Sequence, residues 1–397
     1  MRLRAQPPVH SPIGPAALLA GLRAAVFGSA TARTRVERLL LDRYQSHGVI
    51  LTDSGTTALN LALRLAVAER PGPVALPAYC CYDIATATDA AGVEFVLYDI
   101  DPATLGPDPE SLRAALDRGA RVIVAVHLYG IPVDLSSIKT LTAPADVIVI
   151  EDAAQGVGAR LNGHPVGSFG RYAVLSFGRG KGMTGGRGGA LLANAPDGAA
   201  RLADTGAVLG RASGSGRDAT LLLAQWVLAR PSLYGVPLSL PFLRLGETIY
   251  REPTTPAAPS GFALGTLTRT LCLGEAEAER RRVNAAWLLQ RLPDDGLASA
   301  PRMPTGAVPG FLRLPLLVDT TALSRFRDER VRSLGVWSGY PTALSDLKGF
   351  GSRRLDPEHG TTGARILAEQ LFTLPTHGLL DDDVRRALAV LLARTKD

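Results

Sequence analysis

One lysine stands where its amine could become a nucleophile. The chain holds 43 Lys+Arg, of which only Lys139, Lys181, Lys348 and Lys396 are lysine. Lys139 follows Ser136-Ser137-Ile138 in a stretch that reads as a surface helix. Lys348 lies in an expected loop, and Lys396 is next to the last residue. Lys181 differs. It follows the apolar run Ala173-Val174-Leu175-Ser176-Phe177 and sits inside Gly178-Arg179-Gly180-Lys181-Gly182-Met183. Glycines let backbone and ligand approach closely. An amine among them, at the end of a buried strand, can be stripped of water and made reactive. An exposed lysine on a glycine loop fits the same spacing.

Two glycine motifs compete for this segment. A Walker A loop needs glycine five residues before Gly180-Lys181, but Leu175 stands there, and Gly182 rather than Ser or Thr follows the lysine. Gly180, Gly182 and Gly185 match G-x-G-x-x-G, the basis of a nicotinamide-enzyme reading. That fingerprint needs a helix after it, whereas Ala190-Leu191-Leu192 reads as a strand.

An acid completes a chemical pattern. The apolar run 147–150 delivers Glu151-Asp152-Ala153-Ala154-Gln155 at a strand's carboxyl end, where open α/β sheets bind ligands. Asp152 precedes Lys181 by 29 positions. Ser54-Gly55-Thr56-Thr57 lies between a strand and a buried helix, and helix N-termini hold phosphate through free N–H groups. Ser176 adds a hydroxyl. Each feature also has an ordinary structural reading, such as a helix cap. Phosphate loop, acid and lysine, in that order, suit pyridoxal phosphate, which uses a lysine imine and an acid on its ring nitrogen.

These residues resemble the DegT/DnrJ/EryC1/StrS family, sugar aminotransferases of the pyridoxal-phosphate (PLP) fold type I. The resemblance rests on Ser54-Gly55-Thr56-Thr57-Ala58-Leu59, Leu76-Pro77-Ala78-Tyr79, Tyr98-Asp99-Ile100-Asp101-Pro102, Val126-His127-Leu128-Tyr129-Gly130, Glu151-Asp152-Ala153-Ala154-Gln155 and Ser176-Phe177 with Lys181. Leu374-Pro375-Thr376-His377 extends it weakly. It implies that Lys181 carries the cofactor and shuttles a proton, and that Asp152 partners the ring nitrogen. Gln155 then lies near the ring hydroxyl, while Gly55, Thr56 and Ser176 touch the phosphate. Family members with histidine at the lysine position are dehydratases, so Lys181 implies transamination. The implied substrates are a small-molecule amino donor, glutamate or glutamine, and a keto acceptor, a nucleotide-linked keto sugar. A homodimer is implied too.

The chain departs from the family in two places. Cys81 stands where an aromatic ring usually stacks on the cofactor. No match appears for the Asn that reaches the partner's phosphate. In that region, residues 219–245 are apolar and broken by proline, and they read as core or dimer interface, with a membrane-surface contact as the alternative. His127 reads as a packed, hydrogen-bonded histidine. Arg179 and Arg187 are candidates for a donor carboxylate or a diphosphate, and the sequence does not choose between them. A non-catalytic, ligand-binding family member with a partner or membrane role is the alternative to an enzyme.

The elements that must position these residues alternate along the chain. Apolar runs at 49–51, 74–76, 93–99, 122–126 and 147–150 read as strands of a covered, mostly parallel sheet. Between them, 56–68, 82–91 and 109–118 read as helices, with Asp108 a cap and Gly92 and Gly119 stops. This predicts a large doubly wound α/β domain over 1–250 and a small α+β domain over 251–397. The net charge of +6 comes from bases mixed with acids, so no nucleic-acid face is expected. Three cysteines give neither a disulfide framework nor a metal pattern, and no apolar run suits a signal or a membrane span, so the expected compartment is the cytoplasm.

Overall fold

Short β-branched and apolar runs form the centre of a seven-stranded sheet. The structure is a computed structural model that describes residues 4–143, 146–212, 214–240, 242, 248–292 and 297–393. Its strands are β1 (Gly48–Thr52), β2 (Val74–Pro77), β3 (Phe95–Tyr98), β4 (Val122–Val126), β5 (Ile148–Asp152), β6 (Tyr172–Ser176) and β7 (Gly189–Ala193). Their order across the sheet is β1-β7-β6-β5-β4-β2-β3. Only β7 runs against the others, pairing antiparallel with both β1 and β6. Every residue of β2, β3 and β4 is buried, as a sheet covered on both faces requires.

Helices cover the faces. α1 (Pro15–Phe27) and α2 (Ala30–Tyr44) precede the sheet, and α3 (Gly55–Glu69) follows β1. α3 is apolar on nearly every side because it is packed on nearly every side; 57 to 63 are all buried. α4 (Asp83–Ala91) ends at Gly92, whose φ of 69° is left-handed. α5 (Pro109–Asp117) begins at Asp108, whose side chain accepts the Ser111 N–H at 2.8 Å. α6 (Leu135–Thr142) carries Lys139.

Beyond β7 the chain forms α7 (Ser215–Leu228), α8 (Gly261–Thr270) and α9 (Gly274–Leu289). α8 lies directly on α1: a Cβ on Gly265 would fall 2.3 Å from the Ala20 carbonyl oxygen. A four-stranded antiparallel sheet comes next, built from β8 (Ala298–Ser299), β9 (Leu314–Val318), β10 (Trp337–Ser338) and β11 (Leu371–Leu374). The apolar segment at 219–245 is part helix: Leu222 is buried on α7 and Leu223 is exposed. Its residues 241 and 243–245 lie outside the described residues. Among the described residues no helix is long and apolar enough to cross a membrane.

Candidate active site

Because β1, β2, β4, β5 and β6 point the same way, their carboxyl ends share one edge. Gly55, Thr56, Cys81, Asp152, Gln155, Ser176 and Lys181 all line one cavity there. Asp83 and Ile84, from the first turn of α4, complete part of its wall.

At one corner, α3 begins against the end of β6. Ser54 caps the helix by accepting the Thr57 N–H at 3.1 Å. Gly55 and Thr56 then present first-turn N–H groups that have no intrahelical acceptor. Asp53 steadies the turn, accepting the Thr57 hydroxyl at 2.6 Å and lying 3.4 Å from Arg187 Nη2. The alanine version of Gly55 would not fit, since its Cβ would sit 3.0 Å from Ser176 Oγ. Donors and a dipole therefore converge on a place for an anion.

Asp152 ends β5 in the cavity wall. Burial raises its pKa, while the Ala154 N–H, 3.0 Å from Oδ1, and the charge of Lys181 pull against that rise. The carboxylate is thus under-compensated and suited to face another cation. Glu151, one residue earlier, points to the other face of the sheet. Burial would raise its pKa, but the hydrogen bond with His127 and the N–H groups of Gly167 and Gly170 hold it below the usual range. The Val133 N–H donates to His127 Nδ1 at 3.2 Å, so the ring proton sits on Nε2, 2.8 Å from Glu151 Oε1. His127 is fully buried with both nitrogens engaged, in keeping with the expected packed histidine.

Gln155 is fixed at both ends of its amide. Oε1 accepts the Tyr129 N–H at 3.0 Å, and Nε2 donates to the Tyr340 hydroxyl at 2.6 Å. The Tyr340 N–H donates to the Tyr79 hydroxyl at 2.9 Å. Burial pushes the Tyr129 phenol up to about 12 and raises those of Tyr79 and Tyr340 well above the ordinary phenol value. Tyr340 comes from the loop after β10, 185 positions from Gln155, so no local spacing could reveal it.

Lys181 lies on the loop between β6 and β7. Gly180 and Gly182 have φ of 77° and 79°, which favours glycine at both flanks. A Cβ on Gly182 would also lie 2.8 Å from Nη1 of the fully buried Arg281, whose Nη2 donates to the Val157 carbonyl at 3.1 Å. The Gly180, Gly182, Gly185 series leads into the strand β7, so the dinucleotide fingerprint lacks its helix. Cys81 is half-buried, and its thiol donates to Asp83 at 3.4 Å. Burial and Asp83 push it up to about 12, so it is a neutral thiol in the cavity wall.

The chain is similar to known proteins in sequence and in fold. Over 171 residues the chain is 35% identical to an L-glutamine:2-deoxy-scyllo-inosose aminotransferase of Streptomyces kanamyceticus, covering 43% of this chain and 40% of that protein. Over 154 residues it is 38% identical to a GDP-perosamine synthase of Caulobacter vibrioides, covering 38% of this chain and 41% of that one. The match thus spans about two fifths of the length of these two curated relatives. The solved sugar aminotransferase CalS13 from Micromonospora echinospora superposes with a TM-score of 0.72 at 23% identity, covering 97% of this chain and 98% of that one. The expected architecture, a large mostly parallel α/β sheet with a smaller α+β part, is the fold they share. Residues 18–218, just over half of the chain, match one family description and contain the whole cavity wall named above. The chain belongs to the DegT/DnrJ/EryC1/StrS aminotransferase family.

Proposed function

We propose that the protein is a PLP-dependent aminotransferase that moves an amino group from glutamate or glutamine to a ketone, with a nucleotide-linked keto sugar as acceptor. One observation carries the reading: Gly55, Thr56, Cys81, Asp152, Gln155, Ser176 and Lys181 come from widely separated positions and line a single cavity. The names of the relatives, an L-glutamine:2-deoxy-scyllo-inosose aminotransferase and a GDP-perosamine synthase, support the reaction class.

The donor set fits the cofactor. The first turn of α3 and the Ser176 hydroxyl suit its phosphate. The buried, under-compensated Asp152 suits a protonated ring nitrogen. Gln155, held by Tyr129 and Tyr340, keeps one amide hydrogen for the ring hydroxyl. Cys81 lies where a ring face would rest. When bound, PLP supplies an electron sink for breaking a C–H bond. Lys181 anchors it, and its Nζ then takes and returns the proton that moves between carbon atoms. Burial of the cavity wall limits water around that amine. A homodimer, a cytoplasmic location and the division into 1–250 and 251–397 belong to the same proposal.

The test is spectroscopic. Adding L-glutamine or L-glutamate to the PLP-loaded protein is expected to bleach the visible band and raise a near-ultraviolet one. A band that persists through a panel of amino donors favours the non-catalytic reading instead.

A further inference from the structure

α1 turns its large side chains outward. Its buried residues are Ala17, Gly21 and Ala24. Gly21 and Ala24 sit against α8: a Cβ on Gly21 would lie 2.5 Å from Thr266 Oγ1, and one on Gly265 would lie 2.7 Å from Ala24 Cβ. Leu19, Leu22, Val26 and Phe27 are exposed instead, and Phe27 is 85% exposed. The four fall at i, i+3, i+7 and i+8, a single stripe of a helix. A surface helix ordinarily buries such a stripe; α1 buries alanine and glycine in its place.

α7 touches α1 and packs on the same α8. The Ser215 hydroxyl accepts the Phe262 N–H at 3.3 Å, and the Ser260 hydroxyl donates to Asp218. Leu222 is buried, whereas Arg217, Leu223 and Val227 are exposed. Arg230 follows the helix, with its guanidinium carbon 4.8 Å from the centre of the Trp226 ring. The charge on this layer has one sign. α1, α7 and α8 hold a single acid between them, Asp218, and it is buried. No Asp or Glu precedes Glu37 in the chain. Arg23, Arg217 and Arg230 are exposed.

We infer that α1 and α7 form a face that seats on an anionic lipid surface. The outward leucines, valines and Phe27 enter the headgroup–acyl boundary, while Arg23, Arg217 and Arg230 meet lipid phosphates. Trp226 beneath Arg230 is an apolar ring with a polar edge, the kind of side chain that sits at such a boundary. The helices lie on the lipid and do not cross it, in keeping with their length. A second copy of the chain is the competing occupant of an apolar face. A twofold axis would lay this surface on itself, and its arginines would meet arginines with no exposed acid on the three helices to answer them. Acidic phospholipid supplies the missing charge. The contact does not depend on the aminotransferase reading.

The test is flotation of the full chain with vesicles of mixed phosphatidylglycerol and phosphatidylcholine, against vesicles of phosphatidylcholine alone. The protein is expected to float with the mixed vesicles, to be released as salt rises, and to stay behind with the neutral ones. Phe27→Ser and Arg23→Glu are each expected to weaken binding about tenfold or more. Both residues are exposed, so both variants should melt with the parent. Val390→Ser, an exposed apolar residue on the last helix, is expected to bind as the parent does. The inference is overturned if the parent floats with neither vesicle or equally with both. It is also overturned if the two variants bind as tightly as the parent. Sedimentation of the same variants without lipid reads the competing occupant: a fall in oligomeric state assigns the face to a second copy and overturns the inference, and an unchanged state together with lost flotation supports it.

Discussion

Gly55 and Ser176 meet so closely that a Cβ on Gly55 would lie 2.8 Å from the Cβ of Ser176. The contact locks the start of α3 to the end of β6 and sets the width of the proposed phosphate corner. Gly55→Ala is expected to cost about 1–3 kcal/mol through overpacking. The better helix propensity of alanine offsets this by at most ~1 kcal/mol. Thermal melts and PLP titration would read both effects. Adding Ser176→Gly should restore stability by removing the clashing atoms, but not PLP affinity, because the hydroxyl is gone with them.

Asp152 gives a prediction of opposite sign for stability and activity. Its folded pKa lies above the ordinary value because burial outweighs its compensation. An ionised group with a raised folded pKa costs stability at neutral pH. Cofactor-free Asp152→Asn should therefore melt at or above the parent's temperature. Turnover should fall about 10²–10⁴-fold, since the amide cannot keep the ring nitrogen protonated. A clear loss of stability in the cofactor-free variant, with activity kept, would contradict the assignment.

His377 ties the N-terminal strap to the body of the protein. Its Nε2–H donates to the Pro7 carbonyl at 2.7 Å, and the Leu379 N–H donates to Nδ1 at 3.3 Å. Burial pushes the pKa down to about 4, against the partial rise from the Pro7 bond. A base with a depressed folded pKa stabilises above its unfolded pKa and loses that contribution as pH falls. Stability should decline between pH 6.5 and about 4, by up to ~3 kcal/mol from this group. Urea denaturation across that range should show a shallower decline in His377→Gln.

The cysteines should separate by reactivity. Cys272 is exposed, Cys81 is half-buried with its thiol pushed up to about 12, and Cys80 is buried with its thiol raised well above the ordinary value. Thiolate is the reactive form. Iodoacetamide at pH 8 should thus label Cys272 first, and mass spectrometry should find Cys81 labelled only at much higher pH. Fast labelling of Cys81 at pH 8 would contradict a neutral thiol in the cavity wall.

Much of the framework is legible because it is local. β4 reads Val-Ile-Val-Ala-Val and is buried throughout. Asp108 and Gly92 do what a cap and a stop do. Hydropathy suggests a strand over 147–150, but β5 runs to Asp152. Its polar end is hidden from hydropathy because Glu151 is buried by His127 and by the N–H groups of Gly167, Phe169 and Gly170. The seven cavity residues are legible only as a set, through their order along the chain and the resemblance it carries. The invisible part is long-range. α1 and α2 escape a reading that starts from the strands, although Pro15 at the first turn of α1 is a start signal. The bond from Gln155 to Tyr340 joins separate stretches with no shared period. The segment 219–245 is unusual for its apolarity, and α7 within it sets one buried face, at Leu222, against Gly186.

Lys181, one of only four lysines in the chain, is the proposed anchor of the cofactor. The most direct measurement is the visible absorbance of purified protein, parent and Lys181→Ala, after PLP is added and excess removed. The expected result is a visible band that borohydride fixes to the parent, with the modified peptide containing Lys181, and no such band or covalent label in the variant. A band and label that survive in Lys181→Ala, or a label found on Lys139 or Lys348 of the parent, would contradict it.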